Sequence, residues 1–270
     1  MSERVRIDVD DHVAVVTLTR PEKHNALDAA MFEGILGAAE QVASTAGMRA
    51  VVLHGEGPSF CSGLDVASFL EGPVSLDSLL EREGRRANVA QRACTDWLDL
   101  PVPVIAAVHG NCFGGGLQIA LGADVRIAAP DARLSVMEVK WGLVPDMGIT
   151  NTLPRLARID VAKELTYTGR VVSGEEAVAL GLVTRVAADP LAEALELARA
   201  IADRSPDAVR AAKRLYDEAW VAPRDEALLL ETELQVGLAG KPNQLAAVTA
   251  GFTKQPGEFT DPEPAAAAPA

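Results

Sequence analysis

Residues 104–128 read Val-Ile-Ala-Ala-Val-His-Gly-Asn-Cys-Phe-Gly-Gly-Gly-Leu-Gln-Ile-Ala-Leu-Gly-Ala-Asp-Val-Arg-Ile-Ala. The apolar run Val104 to Val108 predicts a buried strand, the segment from about Gly115 to Leu121 a short helix, and Asp124 to Ala128 a second strand. A strand, a helix and a strand with short joins signal parallel pairing through right-handed crossovers, so the fold class is α/β. The glycine loop between the first strand and the helix has a second consequence. It puts backbone N–H groups at a helix start, where they have no intrahelical acceptor.

Upstream, residues 4–9 and 12–18 form a hairpin pattern split by Asp10-Asp11. Asp28 stands in an N-cap position before a helical stripe of Met31, Ile35, Ala38, Ala39 and Val42. Arg49 to His54 reads as a buried strand ending in the Gly55/Gly57 loop, and Leu76 to Leu98 as one long charged amphipathic helix stopped by Pro101 and Pro103. Beyond Asp146 the pattern is helical, with one short strand at Leu182 to Val186 and helices over 190–204, 206–220, 225–238 and 242–254. The expected organisation is a core over 1–195 that carries the site, a helical region over 196–256, and a disordered Pro/Ala-rich tail over 257–270.

The chain has 270 residues, 49% hydrophobic and 23% charged, enough to bury a core without disulfides or metals. Its net charge of -13 disfavours nucleic acid and anionic membrane surfaces as partners, because both are bound by neutralising phosphates with Lys and Arg. Cys61, Cys94 and Cys112 are too far apart for a CxxC pair and read as small buried hydrophobes, consistent with a reducing compartment. There is no membrane-span pattern or leader pattern, and a cytoplasmic location is expected. His12, His24, His54 and His109 have no second ligand at zinc spacing, so no metal site is expected. P-loop, dinucleotide GxGxxG and GxSxG patterns are absent.

Two loops leave a strand and enter a helix: Gly57-Pro-Ser-Phe-Cys-Ser-Gly-Leu-Asp65 and His109-Gly-Asn-Cys-Phe-Gly-Gly-Gly-Leu-Gln118. Two such N–H donors aimed at one oxygen make an oxyanion hole. With Pro21-Glu-Lys-His-Asn-Ala-Leu27, Ala123-Asp-Val-Arg126, Trp141-Gly-Leu-Val-Pro145 and Gly251-Phe-Thr-Lys254, these loops form an ordered set. The set resembles the enoyl-CoA hydratase/isomerase (crotonase) superfamily from about residue 5 to 259. That resemblance implies a crotonase-like (ClpP/crotonase) spiral of β-β-α units with a C-terminal helical trimerisation region, assembled as a homotrimer or a dimer of trimers.

The resemblance also implies site roles. The N–H groups of Leu64 and Gly115 would hold the thioester oxygen of an acyl-CoA. Lys23, the backbone of Leu64, Asp65, Val66 and Ala67, and Phe252 with Lys254 from a neighbouring subunit would surround the coenzyme A portion. That coenzyme is part of the substrate, and no separate cofactor is expected. Hydratases of this family carry two glutamates, and the corresponding positions here are Gln118 and Glu138. A neutral amide orients water but cannot take its proton. Asp146, eight residues after Glu138, stands where double-bond-shifting relatives keep an acid, and it is equally well placed as a helix N-cap. The leading expectation is an enoyl- or dienoyl-CoA isomerase working through Glu138 and Asp146. The alternatives are a hydratase with water oriented by Gln118 and, from another class, a non-catalytic acyl-CoA binder. The charged helix before Pro101, with Trp97, is expected to border the acyl pocket.

Overall fold

The computed structural model describes residues 4–71, 75–82 and 84–262. Among the described residues nine strands form two sheets: β1 Val5–Asp10, β2 Val13–Leu18, β3 Ala50–Gly55, β4 Val104–Val108, β5 Asn111–Phe113, β6 Val125–Ala128, β7 Arg133–Ser135, β8 Val172–Ser173 and β9 Arg185–Val186. The larger sheet has the order β1-β2-β3-β4-β6-β9, antiparallel only between β1 and β2. The smaller has the order β5-β7-β8. The quoted stretch therefore runs from β4 of the large sheet into β5 of the small one, then into a helix, and returns as β6. This is one β-β-α turn of the spiral.

The central strands β3 and β4 are buried on both faces, as parallel strands covered on two sides require. Val51, Leu53, Val104 and Ala106 face one apolar cluster, while Ala50, Val52, Ile105 and Ala107 face another. The first face is covered by α1 (Ala29–Ser44), α3 (Val89–Leu98) and α4 (Gly115–Leu121), with α2 (Val66–Glu71) following the first loop. Asp28 caps α1 as expected, its Oδ1 accepting the Met31 N–H at 2.8 Å. After α5 (Ile149–Thr152), α6 (Ile159–Thr168) and α7 (Gly174–Ala179), α8 (Pro190–Ala202) covers the second face through Ala194, Ala198 and Ala202. The chain then continues through α9 (Pro206–Ala219), α10 (Arg224–Leu238) and α11 (Pro242–Thr253). The Asp124 carboxylate accepts the first amide of β4 at 2.7 Å and binds Lys213 Nζ at 2.6 Å, which ties α9 to the start of that central strand. No helix among the described residues is long and apolar enough to cross a membrane.

Four expectations need correction. The helix drawn over Leu76 to Leu98 is a 3-10 turn, Leu76–Leu80, and a separate α3. Asn88 starts α3 with a reciprocal cap: its side chain accepts the Gln91 N–H, and the Gln91 side chain accepts its N–H. Trp97, near the end of α3, is 1% exposed and belongs to the core. The 195/196 boundary falls inside α8, whose buried alanines belong to the core, so the helical region begins after Ala202. Within the expected tail, residues 257–262 are anchored. Asp261 pairs with Arg49 Nε at 2.6 Å, and Thr260 exchanges hydrogen bonds with Asn243 at 2.8 and 2.9 Å. Residues 263–270 lie outside the described residues. The strand expected at Leu182 to Val186 shortens to Arg185–Val186, since Leu182 N–H bonds back to Ala177 and closes α7.

Candidate active site

The two glycine loops are joined along their length. Phe60 N–H donates to His109 O, Cys61 N–H to Asn111 O and Phe113 N–H to Cys61 O, at 2.8–3.0 Å. On the other side, Leu27 N–H donates to Gly63 O and Asp65 N–H to Leu27 O, so the residues on either side of Leu64 are both fixed. Gly63 has φ +89°, and a Cβ there would lie 2.8 Å from Phe113 O and 3.7 Å from the Gly115 nitrogen. Only glycine allows this approach. Gly115 opens α4, so its N–H has no intrahelical acceptor, and among the described residues neither it nor the Leu64 N–H has a backbone partner. The arrangement places two free donors on adjoining loops, able to receive one oxygen.

Beside them stands a carboxylate. Glu138 begins the 3-10 turn Glu138–Trp141 and comes so close to Gly114 that a Cβ there would meet its Oε1 at 3.3 Å. Glu138 Oε1 accepts Gln118 Nε2 at 2.6 Å, and Gln118 Oε1 accepts the Met147 N–H at 2.8 Å. Glu138 Oε2 is buried and has no partner among the described residues. Burial raises the Glu138 carboxyl above its ordinary value, opposed by its own amide and the Gln118 hydrogen bond and reinforced by the charge of Asp146. Asp146 lies on the exposed side of the loop, and partial desolvation lifts its carboxyl too. Asp146 is not an N-cap, because α5 starts at Ile149 with Gly148 in the cap position. Around Glu138, Val136 and Met147 are buried, whereas Val139 and Trp141 face solvent.

Thus Gln118, Glu138, Leu64 and Gly115 come together, with Asp146 acting on Glu138 by its charge. The residues expected around coenzyme A divide. Lys23 is exposed on the turn Pro21–Lys23, and its carbonyl accepts the Ser62 hydroxyl at 3.3 Å, which places the turn beside the first loop. The Asp65 and Val66 N–H groups are already used by Leu27 O and Leu64 O, and the Asp65 carboxylate binds Arg20, so both residues shape the loop. Ala67 is exposed at the start of α2. Phe252, 86% exposed, and Lys254, just past α11, sit at the C-terminal helices, and among the described residues neither makes a hydrogen bond or ion pair with Lys23 or the first loop of its own protomer.

Two positioning residues escaped the sequence reading. Arg20, whose side chain is 9% exposed, donates to Ala26 O at 3.0 Å and pairs with Asp65 at 2.8 Å. An arginine directly before Pro21, at the end of an apolar strand, was the signal. Met147 carries no chemical signal, since it acts through its backbone N–H and through a thioether packed on Gly115.

The sequence model of the family described as enoyl-CoA hydratase/isomerase matches residues 8–259. YngF of Bacillus subtilis (strain 168) is 38% identical over 233 residues, covering 85% of this chain and 84% of that protein. The mitochondrial Delta(3,5)-Delta(2,4)-dienoyl-CoA isomerase of Mus musculus is 36% identical over 211 residues, 75% of this chain and 64% of that protein. The crystal structure of an enoyl-CoA hydratase from Bacillus anthracis superposes with a TM-score of 0.87 at 30% identity, covering 95% of this chain and 99% of that one. The joined glycine loops and the match along nearly the whole chain lead to one conclusion: this protein belongs to the enoyl-CoA hydratase/isomerase family.

Proposed function

We propose that the protein shifts a carbon–carbon double bond within an enoyl- or dienoyl-CoA thioester, with Glu138 as the proton shuttle. The observation that carries this reading is the single carboxylate with one unpartnered oxygen beside the two free amides of Leu64 and Gly115. The thioester oxygen accepts both N–H groups, and Glu138 Oε2 takes a proton from the α-carbon of a 3-enoyl ester. The C–H electron pair spreads into a dienolate whose negative charge rests on that oxygen. The same carboxyl then returns the proton to the γ-carbon, the double bond comes to lie between the α- and β-carbons, and no water is consumed. The only coenzyme in this reading is the coenzyme A of the substrate, with Lys23 as a point charge for its phosphates.

Hydration is the second reading, favoured by likeness to the enoyl-CoA hydratase of Bacillus anthracis. It is weaker here because Gln118, a neutral amide bonded to Glu138 and to the Met147 N–H, cannot take a proton from water, which leaves Glu138 as the one general base beside the two amides. A third reading is acyl-CoA binding without turnover. Assembly as a trimer or a dimer of trimers is part of the proposal. The apolar residues left in solvent on α9 to α11, among them Trp220, Leu229, Val236 and Phe252, support it, and Phe252 and Lys254 would reach the coenzyme A portion bound by a neighbouring copy.

The test is turnover of matched 3-enoyl-, 3,5-dienoyl- and trans-2-enoyl-CoA esters by the purified protein and by Glu138→Gln and Asp146→Asn, with mass measured by sedimentation. Double-bond migration abolished by Glu138→Gln supports the proposal. Rapid hydration of the trans-2-enoyl ester overturns it in favour of the second reading, and tight binding with no chemistry favours the third.

A further inference from the structure

Gln118 is 1% exposed and fills the position between Met147 and Glu138, so no bulk water competes for either end of its amide. A backbone N–H has only a hydrogen to offer, so the end facing Met147 must be the amide oxygen. The end facing Glu138 is then the NH2 group, which has only hydrogens to offer in its turn. The direction of both hydrogen bonds is fixed by chemistry alone. Met147 does more than anchor this amide. Its Sδ lies 2.7 Å from where a Gly115 Cβ would stand, so it also packs against the residue that supplies an oxyanion donor.

We infer that Gln118 is a positioning residue for the proton shuttle: held by the Met147 N–H, it occupies Glu138 Oε1 and leaves Glu138 Oε2 as the one oxygen that exchanges the proton. The inference rests on the reading of Glu138 as the shuttle and adds how that carboxylate is aimed and kept ionised. A glutamine suits the task because a neutral donor stabilises the carboxylate without competing for its proton, as a second carboxyl would. Through Met147 the spacing between the proton-carrying oxygen and the oxyanion donors is set by one residue.

The charged group that acts on Glu138 is Asp146. Lys140, on the same turn, packs its stem against Gly169. On the packed helix α6, Asp160 pairs with Arg158, Glu164 pairs with Arg170, and Lys163 is exposed. The Gln118 donor therefore works against the burial of Glu138, and Asp146 works with it.

The experiment is infrared titration of the Glu138 carboxyl, read as the difference between each protein and its Glu138→Gln counterpart, in wild type, Gln118→Met and Gln118→Glu. It needs no turnover. In parallel, pH profiles of kcat and kcat/KM are recorded on whichever ester the wild type converts fastest. Gln118→Met should raise the Glu138 midpoint by about one pH unit or more, the size that a hydrogen bond to a charged group commands. The acid limb of kcat/KM should move up with it, and kcat should fall more than KM rises. Gln118→Glu is the isosteric variant that decides the matter if Gln118→Met does not fold. Its carboxylate still accepts the Met147 N–H but offers Glu138 no donor, so the pair should titrate in two steps. A Glu138 midpoint unchanged in whichever variants fold, or a loss confined to KM with the profile in place, overturns the inference. Hydration by the wild type, with the midpoint still moving in the variants, overturns the isomerase reading alone.

Discussion

Arg20 Nη2 lies 2.8 Å from Asp65 Oδ2, with both side chains largely buried, and this pair ties the segment before Leu27 to the loop that carries Leu64. The same guanidinium donates to Ala26 O and lies 3.5 Å from Asp28, the cap of α1. Breaking a buried pair by removing one partner leaves the other charge uncompensated, at about 3–5 kcal/mol. Arg20→Met should cost that much in chemical denaturation. Arg20→Lys should recover less than half, since a point charge cannot serve a carbonyl and a carboxylate together as the planar fork does. A loss under 1 kcal/mol in Arg20→Met would remove Arg20 from any role in holding the loop.

Gly63 makes a sharper prediction, because its φ of +89° and its approach to Phe113 O both exclude a side chain. Gly63→Ala forces the first loop away from the second, moving the Leu64 amide relative to that of Gly115. Loss of one oxyanion donor lowers kcat about 10²–10³-fold, and backbone strain adds about 1–3 kcal/mol of destabilisation. A variant that is destabilised yet turns over at the wild-type rate would show that Leu64 N–H does not meet the reacting oxygen.

What the sequence disclosed was local. The glycine loops, the Asp28 cap and the succession of helices α8 to α11 are written in neighbouring residues, and each stands close to where periodicity and capping put it. What it hid depends on contacts between residues far apart in the chain. The apolar stripe running to Leu98 looks continuous, yet a reciprocal Asn88–Gln91 cap restarts the helix, and Trp97 turns inward to the core. Among the site residues, Gln118 and Glu138 were legible as chemical types, but their direct hydrogen bond was not, because the position of Met147 N–H is set by a turn 29 residues after Gln118. Asp261 looked like part of a loose tail because nothing nearby shows that Arg49 waits for it 212 residues upstream.

That last contact is testable. Arg49 holds Asp261 by its Nε at 2.6 Å and Ala202 O by its Nη1 at 2.9 Å, joining the end of α8 to the C-terminal segment. Ending the chain after residue 256 also strips Asn243 of its bonds to Thr260. Buried polar groups left unsatisfied cost about 1–3 kcal/mol each, so the truncated protein should melt several degrees lower. An unchanged melting temperature would return residues 257–262 to the status of a loose tail.

The raised Glu138 carboxyl ties stability to catalysis with opposite signs. Proton abstraction needs the ionised form, so kcat/KM should fall as pH drops through a value above 4.5, the ordinary one for a glutamate. Asp146→Asn removes a repelling charge and should move that limb to lower pH. For folding the sign reverses. A carboxyl whose folded value lies above its unfolded one binds its proton more tightly in the native state. Its contribution to stability is complete below the unfolded value and is lost as pH rises through the folded one. At pH 7 the native protein therefore carries a desolvated charge that Glu138→Gln removes, while the new amide still accepts from Gln118 Nε2. The variant should lose about 10²–10⁴ in kcat with KM little moved, yet melt higher than wild type at pH 7. The gain should shrink to nothing as pH falls below the ordinary glutamate value. A variant equally inactive but no more stable at pH 7 would mean that Glu138 titrates as a solvated carboxylate. Its unpartnered oxygen would then be in contact with water, not held dry for a substrate carbon.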